Sequence, residues 1–257
     1  MLIFFIVDRV LREANMKKWI AKSSPQLKPQ HVTKRLKWAL AHSDWICEDF
    51  EGVIWSDECS VEKSKDPRQQ WVFREPGEKC LNHCVHPKEK NKGISLMVWG
   101  CFWGKKKGIL VPITQGNITK TRYTRLLRRH LIPVIHQMLA CGIHDFLFQQ
   151  DNAPVHKAYS VMDWLEGNHI DVFEHPPYSP DLNPIEHVWV ELKKRLHQQY
   201  PRIGDTVGGK QAVKKRLAQV LPLVWETIPE EFFEKLWKSM PNRVAAVLEA
   251  RGGYTKY

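Results

Sequence analysis

Apolar and polar positions along the 257 residues alternate in short strand-like runs in the first half and recur in long helical stripes in the second. Val7, Val10, Leu11 and Ala14 recur at helical spacing. The basic stretch to about residue 45 is mostly helical in pattern, with Pro25 and Pro29 marking a linker before a helix over about Gln30–His42. The run V-I-W-S-D, 53–57, is β-branched and aromatic and predicts a buried strand ending in Asp57. Trp71–Phe73 predicts another strand, 76–93 a polar loop, and 94–103 a long strand. Gly104 and the lysine run 105–107 predict a turn, and 108–113 the returning strand of a hairpin. Thr119 is placed to cap a helix reaching about Ala140, with Pro133 inside it. F-L-F-Q-Q-D, 146–151, predicts a strand ending in Asp151, followed by a helix over 157–166 and a strand over 170–173. A proline-rich turn, 176–184, leads into a helix from Pro184 to about Gln198, and amphipathic helices over 209–226, 229–240 and 241–250 close the chain.

Antiparallel strands followed by a β-α-β-α order describe an α/β or α+β sheet flanked by helices. Acids at the ends of elements far apart in the chain suit a site assembled at one edge of such a sheet.

Composition changes this picture in three ways. First, 257 residues at 43% hydrophobic and 26% charged are enough for one large domain, alone or with a small appendage, and most of the eleven tryptophans are expected in its core. Second, the apolar start MLIFFIV is far shorter than the ~20 residues a membrane span needs, and it lacks the basic leader and cleavage site of a signal peptide. No membrane association is expected, and the sequon at Asn117 is read as chance. Third, the net charge of +11 favours a polyanionic partner, because phosphate contacts supply affinity without sequence information. The six scattered cysteines do not form a disulfide framework. Cys80 and Cys84, near His83 and His86, have a C-x-x-x-C spacing and no second ligand pair, which disfavours structural zinc.

Each candidate acid taken alone has an ordinary explanation. A lone strand-end acid such as Asp57 commonly belongs to a turn; alternation puts it on one face with Val53 and Trp55, and Ile54, Ser56 and Glu58 on the other. Asp151-Asn152 could form an Asx turn, which leaves unexplained why an acid abuts so apolar a strand. Glu186 follows Asn183 and Pro184 at the spacing of a capping box. Taken together they mean more. Clustered carboxylates repel one another, so convergence is costly without a cation. Phosphodiester cleavage is served by two hard cations about 3.5–4 Å apart, which carboxylate oxygens hold.

The stretches W-S-D-E (55–58), F-Q-Q-D-N-A-P-V-H (148–156) and P-P-Y-S-P-D-L-N-P-I-E-H-V-W (176–189) closely resemble the Tc/mariner superfamily of transposases. The 34 residues between Asp151 and Glu186 match the Asp-Asp-Glu spacing of its Tc branch. M-V-W-G-C-F (97–102), S-M-P-N-R-V-x-x-V (239–247) and the terminal G-G-Y-T-K-Y extend the resemblance from about residue 7 to the end.

The resemblance implies an α/β, RNase H-like mixed sheet flanked by helices, with a helical N-terminal remnant and a helical C-terminal tail. It implies a cut-and-paste DNA transposase that cleaves at terminal inverted repeats and joins the freed 3′-hydroxyl to target DNA. Asp57, Asp151 and Glu186 match its catalytic, metal-binding triad, for two Mg2+ or Mn2+ ions, and Asn152 and His156 match supporting positions. In the implied mechanism one metal activates water and later the 3′-hydroxyl, and the other stabilises the leaving oxygen. Asp181, inside the proline-rich turn, is a rival third acid; Glu186 fits better because it starts a helix. Lys105, Lys106, Lys107, Arg122, Arg125, Arg128, Arg129, Lys193, Lys194 and Arg195 are candidate contacts to double-stranded DNA, although any single cluster taken alone reads more readily as a solvated helix or turn face. A homodimer or larger assembly on DNA, in the nucleus, is also implied.

The family carries two helix-turn-helix units before its catalytic domain, whereas V-D-R-V-L-R-E-A-N-M (7–16) matches only the end of the second. The expectation is an N-terminally truncated copy or a misplaced start. Residues 1–45 are then a remnant of the DNA-binding region and linker, and 46–257 the catalytic domain with its C-terminal helices. The competing readings are a transposon-derived DNA-binding protein that no longer catalyses, and another RNase H-like nuclease.

Overall fold

The computed structural model describes residues 10, 13, 17–20, 22–23, 26–63, 71–74, 85–86 and 94–257. Val7, Leu11 and Ala14 of the first apolar stripe, and the Cys80, His83 and Cys84 group, lie outside the described residues.

Five strands form the central sheet: β1 (Val53–Lys63), β2 (Ile94–Trp103), β3 (Lys106–Ile113), β4 (Leu147–Gln149) and β5 (Val172–Phe173), in the order β3-β2-β1-β4-β5. Pairing is antiparallel from β3 through β2 to β1 and parallel from β1 through β4 to β5. The helices are α1 (Pro29–Ala41), α2 (Cys47–Glu51), α3 (Lys120–Ala140), α4 (Tyr159–Gly167), α5 (Ile185–Gln199), α6 (Gly209–Glu226), α7 (Glu230–Trp237) and α8 (Met240–Glu249). Among the described residues no helix is long and apolar enough to cross a membrane.

Pleat alternation along β1 divides the core in two. Val53, Trp55, Cys59 and Val61 pack with α5, α6, α7 and α8 on one face. On the other, Ile54 joins Trp99, Cys101 and Trp103 of β2 against Tyr123, Leu127 and Leu131 of α3 and Val161 and Leu165 of α4. Trp38, Trp55, Trp99, Trp103, Trp189, Trp225 and Trp237 are all buried, so the tryptophans serve mainly as core.

Four local expectations are corrected. Asp57 does not end its strand: β1 runs on to Lys63 because β2 pairs with it from Trp55 to Lys63. The strand expected to reach Asp151 stops at Gln149, where pairing with β1 ends, so Asp151 lies in the loop beyond. Lys17–Ile20 and Lys22–Ser23, inside a region whose pattern is mostly helical, are extended; Lys17–Ile20 pairs with Trp71–Arg74 and Lys22–Ser23 with Val85–His86. A ladder partner far along the chain overrides local helical pattern in such short segments. Lys106 and Lys107 likewise belong to β3, leaving a tight turn at Gly104-Lys105, with Gly104 at φ +45°.

The proline-rich turn is held by a buried ion pair. Both guanidinium Nη atoms of Arg35 donate to Asp181, each at 2.6 Å, and Arg35 is 1% exposed. Thr255 Oγ1 donates to Asp181 Oδ2 at 2.7 Å, and Arg243 donates to the Asp181 carbonyl at 2.6 Å. Arg35 also donates from Nε to the Gly252 carbonyl and from Nη2 to that of Gly253, both at 2.9 Å. Gly252 sits at φ +84°, where a Cβ would lie 2.2 Å from the Val32 carbonyl, so no larger residue fits. Asp181 is thus a structural acid that ties α1, the turn before α5 and the G-G-Y-T-K-Y end together.

Removing one partner of such a pair strands the other charge in the core. Arg35→Met is expected to cost about 3–5 kcal/mol, read as a lowered urea midpoint. Asp181→Asn is expected to be destabilising in the same assay. A loss under about 1 kcal/mol for Arg35→Met would contradict the role given to this pair.

Candidate active site

The register of β1 against β4 assembles the acids. Val53, Ile54 and Trp55 stand opposite Leu147, Phe148 and Gln149, so Asp57 and Asp151 each lie two residues beyond the last pair. The pairing stops at Trp55–Gln149, so Asp151 lies past the end of the ladder. At that point β4 leaves the sheet. The side-chain Oε1 of Gln149, rather than a peptide carbonyl, accepts from Ser56 N at 3.1 Å, and Ser56 Oγ donates to the Gln149 carbonyl at 2.7 Å.

Glu186 enters from the apolar face that carries Asp57. The helix begins one residue later than expected: Pro184 takes the N-cap place with no side-chain cap, and Glu186 is the second helical residue. Asn183 Oδ1 accepts weakly from Ile185 N, at 3.4 Å. The Asn183 amide reaches the Ser56 carbonyl at 3.4 Å, tying the start of α5 to the strand residue beside Asp57. One turn on, Trp189 Nε1 donates to Asp57 Oδ2 at 3.1 Å. Its indole lies against Gly100 of β2, where a Cβ would stand 2.8 Å from Trp189 Cη2.

Electrostatics link Asp57 with Glu186 and Glu58, and Asp151 with His156. Burial, then the charges of Glu186 and Glu58, push Asp57 well above the usual carboxylate range, although the Trp189 N–H opposes this. For Asp151, which is half exposed, burial acts upward, but hydrogen bonds from His156 and the Ala153 N–H outweigh it and hold it below that range. Both donors meet the same oxygen: Ala153 N is 2.9 Å and His156 Nδ1 2.6 Å from Asp151 Oδ1. Burial opposes the charged form of His156, yet its bonds to Asp151 and Glu58 raise it to about 10. Among the described residues no three His, Cys, Asp or Glu side chains already form a metal-holding group. Glu186 and Asp57 are thus near one another, while Asp151 stands half exposed beside His156, and oxygens of Asp57 and Asp151 are engaged by protein donors.

The other sequence candidates separate by their partners. Asn152 donates to the His175 carbonyl at 2.6 Å, bracing the Asp151 loop against the segment that leads to Glu186. Lys106 pairs with Glu230 at 3.0 Å and Lys107 with Glu226 at 3.3 Å. Arg122 donates to the carbonyls of Gln115 and Asn117, closing the loop before α3. Lys194 and Arg195 share Glu191. Lys105 is exposed in its turn, and Arg125, Arg128 and Arg129 are exposed on α3. Lys193 reaches Cys59, whose thiol burial raises and Lys193 lowers, and the charges of Asp57 and Glu186 act on the same thiol. Lys193 therefore stands beside the acids.

Sequence reasoning missed Trp189, Asn183, Gln149 and Glu58. A signal for Trp189 existed, since it follows Glu186 by three positions and so shares its helix face. Nothing local marks Gln149 as a ladder substitute.

A mixed sheet of this order, with acids at the point where one strand has an antiparallel neighbour on one side and a parallel neighbour on the other, defines an RNase H-like nuclease scaffold. The sequence pattern described as DDE superfamily endonuclease matches residues 52–206, and a second, described as Transposase, matches 6–44. The chain belongs to the DDE superfamily of endonucleases. Within it, this is a DNA transposase of the Tc1/mariner type. It is 33% identical to the Tc1 transposase of Caenorhabditis elegans over 98% of this chain and 87% of that one. Against the Tcb1 transposase of Caenorhabditis briggsae it is 35% identical over 87% of this chain and 77% of that one. Two solved structures share its fold. The Mos1 mariner paired end complex with Mn superposes with a TM-score of 0.70 at 20% identity, over 98% of this chain and 71% of that one. The Mos1 transposase catalytic domain with Raltegravir and Mg gives 0.65 at 18%, over 90% and 100%.

Two variants test this geometry. Asp57→Asn keeps an oxygen for the Trp189 N–H and removes a buried charge from beside two others. In chelator its melting temperature is expected to exceed the wild type's by about 2–4 °C, roughly 1 kcal/mol. Because the folded-state Asp57 is raised, its ionisation subtracts stability as pH climbs through that raised value, so the gap is expected to widen from mildly acidic to neutral pH. A melting temperature at or below wild type would contradict it. Gly100→Ala forces a methyl into the buried Trp189 ring and is expected to cost about 1–3 kcal/mol in urea unfolding.

Proposed function

We propose that this transposase cleaves DNA at the ends of its transposon and transfers the freed 3′-hydroxyl into target DNA, with Asp57, Asp151 and Glu186 holding divalent cations. The observation that supports the reading is that Glu186 comes near enough to act on the Asp57 carboxyl, with Asp57 and Asp151 each two residues past the last β1–β4 pair.

The donor set fits a hard cation. All three ligands are carboxylates, and Asp57 is surrounded by protein beside two other acids, so its ionised form lacks compensating positive charge. Two Mg2+ or Mn2+ ions, when bound, supply charge neutralisation at the scissile phosphate and activation of the attacking oxygen. The chain's residues do the positioning. Trp189 orients Asp57, His156 and Ala153 N fix one oxygen of Asp151, and Asn152 braces the Asp151 loop. Solvent exposure at Asp151 leaves a path for a duplex backbone. Lys193, beside the acids, and Arg125, Arg128 and Arg129, exposed on α3, supply sequence-independent phosphate contacts.

Mos1 transposase forms paired-end complexes with Mg and with Mn, and a strand transfer complex. By the same chemistry this chain takes inverted-repeat ends and target duplex as substrates, acting as a homodimer or larger assembly in the nucleus. Residues 1–45 carry a DNA-binding region and linker, a reading supported by the Transposase match over 6–44, and 46–257 the catalytic domain.

The test is a nicking assay with Mg2+ or Mn2+ on duplex bearing the element's inverted repeats, beside an RNA–DNA hybrid of the same sequence. Wild type is expected to nick the duplex, and Asp151→Asn to lower the rate at least about 1000-fold. Preference for the hybrid would replace the transposase substrate with an RNase H one. Binding without metal-dependent nicking would leave a DNA-binding protein only.

A further inference from the structure

Glu58 is a fourth carboxylate beside the site, outside the proposed triad. It follows Asp57 on β1, so its side chain projects to the opposite face of the sheet, toward α3 and α4. There it is 15% exposed, with Oε1 3.3 Å from His156 Nε2. The other ring nitrogen of His156 meets Asp151 Oδ1 at 2.6 Å. One face of the imidazole is stacked on Tyr123, with centroids 4.1 Å apart and 29° between planes. Tyr123 is itself fixed by donating to Gln150 Oε1 at 2.9 Å. Both nitrogens and one face of the ring are thus engaged, and the imidazole cannot turn without breaking a contact to a carboxylate.

Asp151 needs that bracket. It lies beyond the end of β4, in a loop, and its side chain is half exposed. The two donors that hold it, Ala153 N and His156 Nδ1, both bind Oδ1, so a rigid His156 also fixes where Oδ2 points.

We propose that Glu58 is a positioning residue, which anchors His156 from across β1 so that His156 holds one oxygen of Asp151 and presents the other to a divalent cation. The inference rests on the reading of Asp151 as a cation ligand. Glu58 does not join the ligands itself: the pleat turns it away from Asp57, and its near oxygen faces the imidazole. The carboxylate matters because its charge holds the imidazole through an ion-pair contact at 3.3 Å, whereas an amide at this position carries no charge and can present N–H to N–H.

The experiment is a Mn2+ titration of the full chain, followed by the electron paramagnetic resonance of free Mn2+, with no DNA present. Glu58→Gln is expected to weaken Mn2+ binding about 10-fold while melting within a few degrees of wild type. His156→Gln is expected to weaken it similarly, and the double variant to be no weaker than His156→Gln alone, since the two residues act in series. Asp151→Asn is the reference and is expected to abolish binding of that ion. If Glu58→Gln binds Mn2+ like wild type, or if its effect adds fully to that of His156→Gln, the positioning role is wrong although Asp151 remains a ligand. Loss as complete as in Asp151→Asn would make Glu58 a ligand and equally overturn it. If Asp151→Asn itself binds normally, the cation reading fails first. Should Glu58→Gln not fold, Glu58→Asp keeps the charge one methylene back; it is expected to weaken binding less than His156→Gln, and an equal loss counts against the proposal.

Discussion

Everything at the site depends on the parallel pairing of β1 with β4, three residue pairs long and ending where the acids begin. A one-residue slip would turn Phe148 and its neighbours to the wrong faces and move Asp151 out of level with Asp57. The slip is resisted because the two faces of β1 are buried in different cores, Ile54 in one and Val53 and Trp55 in the other. Gln149, fully buried, then ends the ladder with its own side chain.

The third acid is delivered by a separate device. Glu186 depends on where α5 starts, and that is set by a turn whose Asp181 is clamped between Arg35 and Thr255, with Arg243 on its carbonyl. A buried ion pair is weak evidence of net stability, because desolvation offsets attraction. Its use here is geometric. It gives the turn one arrangement and binds α1 and the C-terminal residues to the element that carries Glu186. The residues of α1 and of the C-terminus, remote in sequence from Glu186, thereby become part of how the start of α5 is placed.

The site is held against its own electrostatics. Asp57 is raised by burial and by like charges, while the imidazole of His156 is shared between Asp151 and Glu58. A core chosen for stability alone would not place carboxylates this close. Their presence beneath a solvent-open edge is a cost in folding, the usual relation between an active site and its scaffold.

Much of this was legible in the chain. The long helices, the 94–103 strand and the Thr119 cap follow from periodicity and local capping chemistry, which act over a few residues. The family was legible because three motifs in order, at one spacing, are not reproduced by chance, and they named Asp57, Asp151 and Glu186 before any fold was known. What local pattern could not supply is anything decided by a partner far along the chain. The extension of β1 to Lys63, the strand at Lys17–Ile20 and the early end of β4 are each set by a pairing strand. The same holds for the division of labour among polar residues. Asp181 and Glu186 lie five positions apart, yet one is a buried clamp and the other lines the site, because Arg35, 146 positions upstream of Asp181, folds back onto the first. Sequence determined the class of protein and the identity of its acids, since chemistry and spacing are written residue by residue. Only the tertiary structure decided which protein donors each carboxylate meets, because that depends on contacts that exist only once the chain has closed on itself.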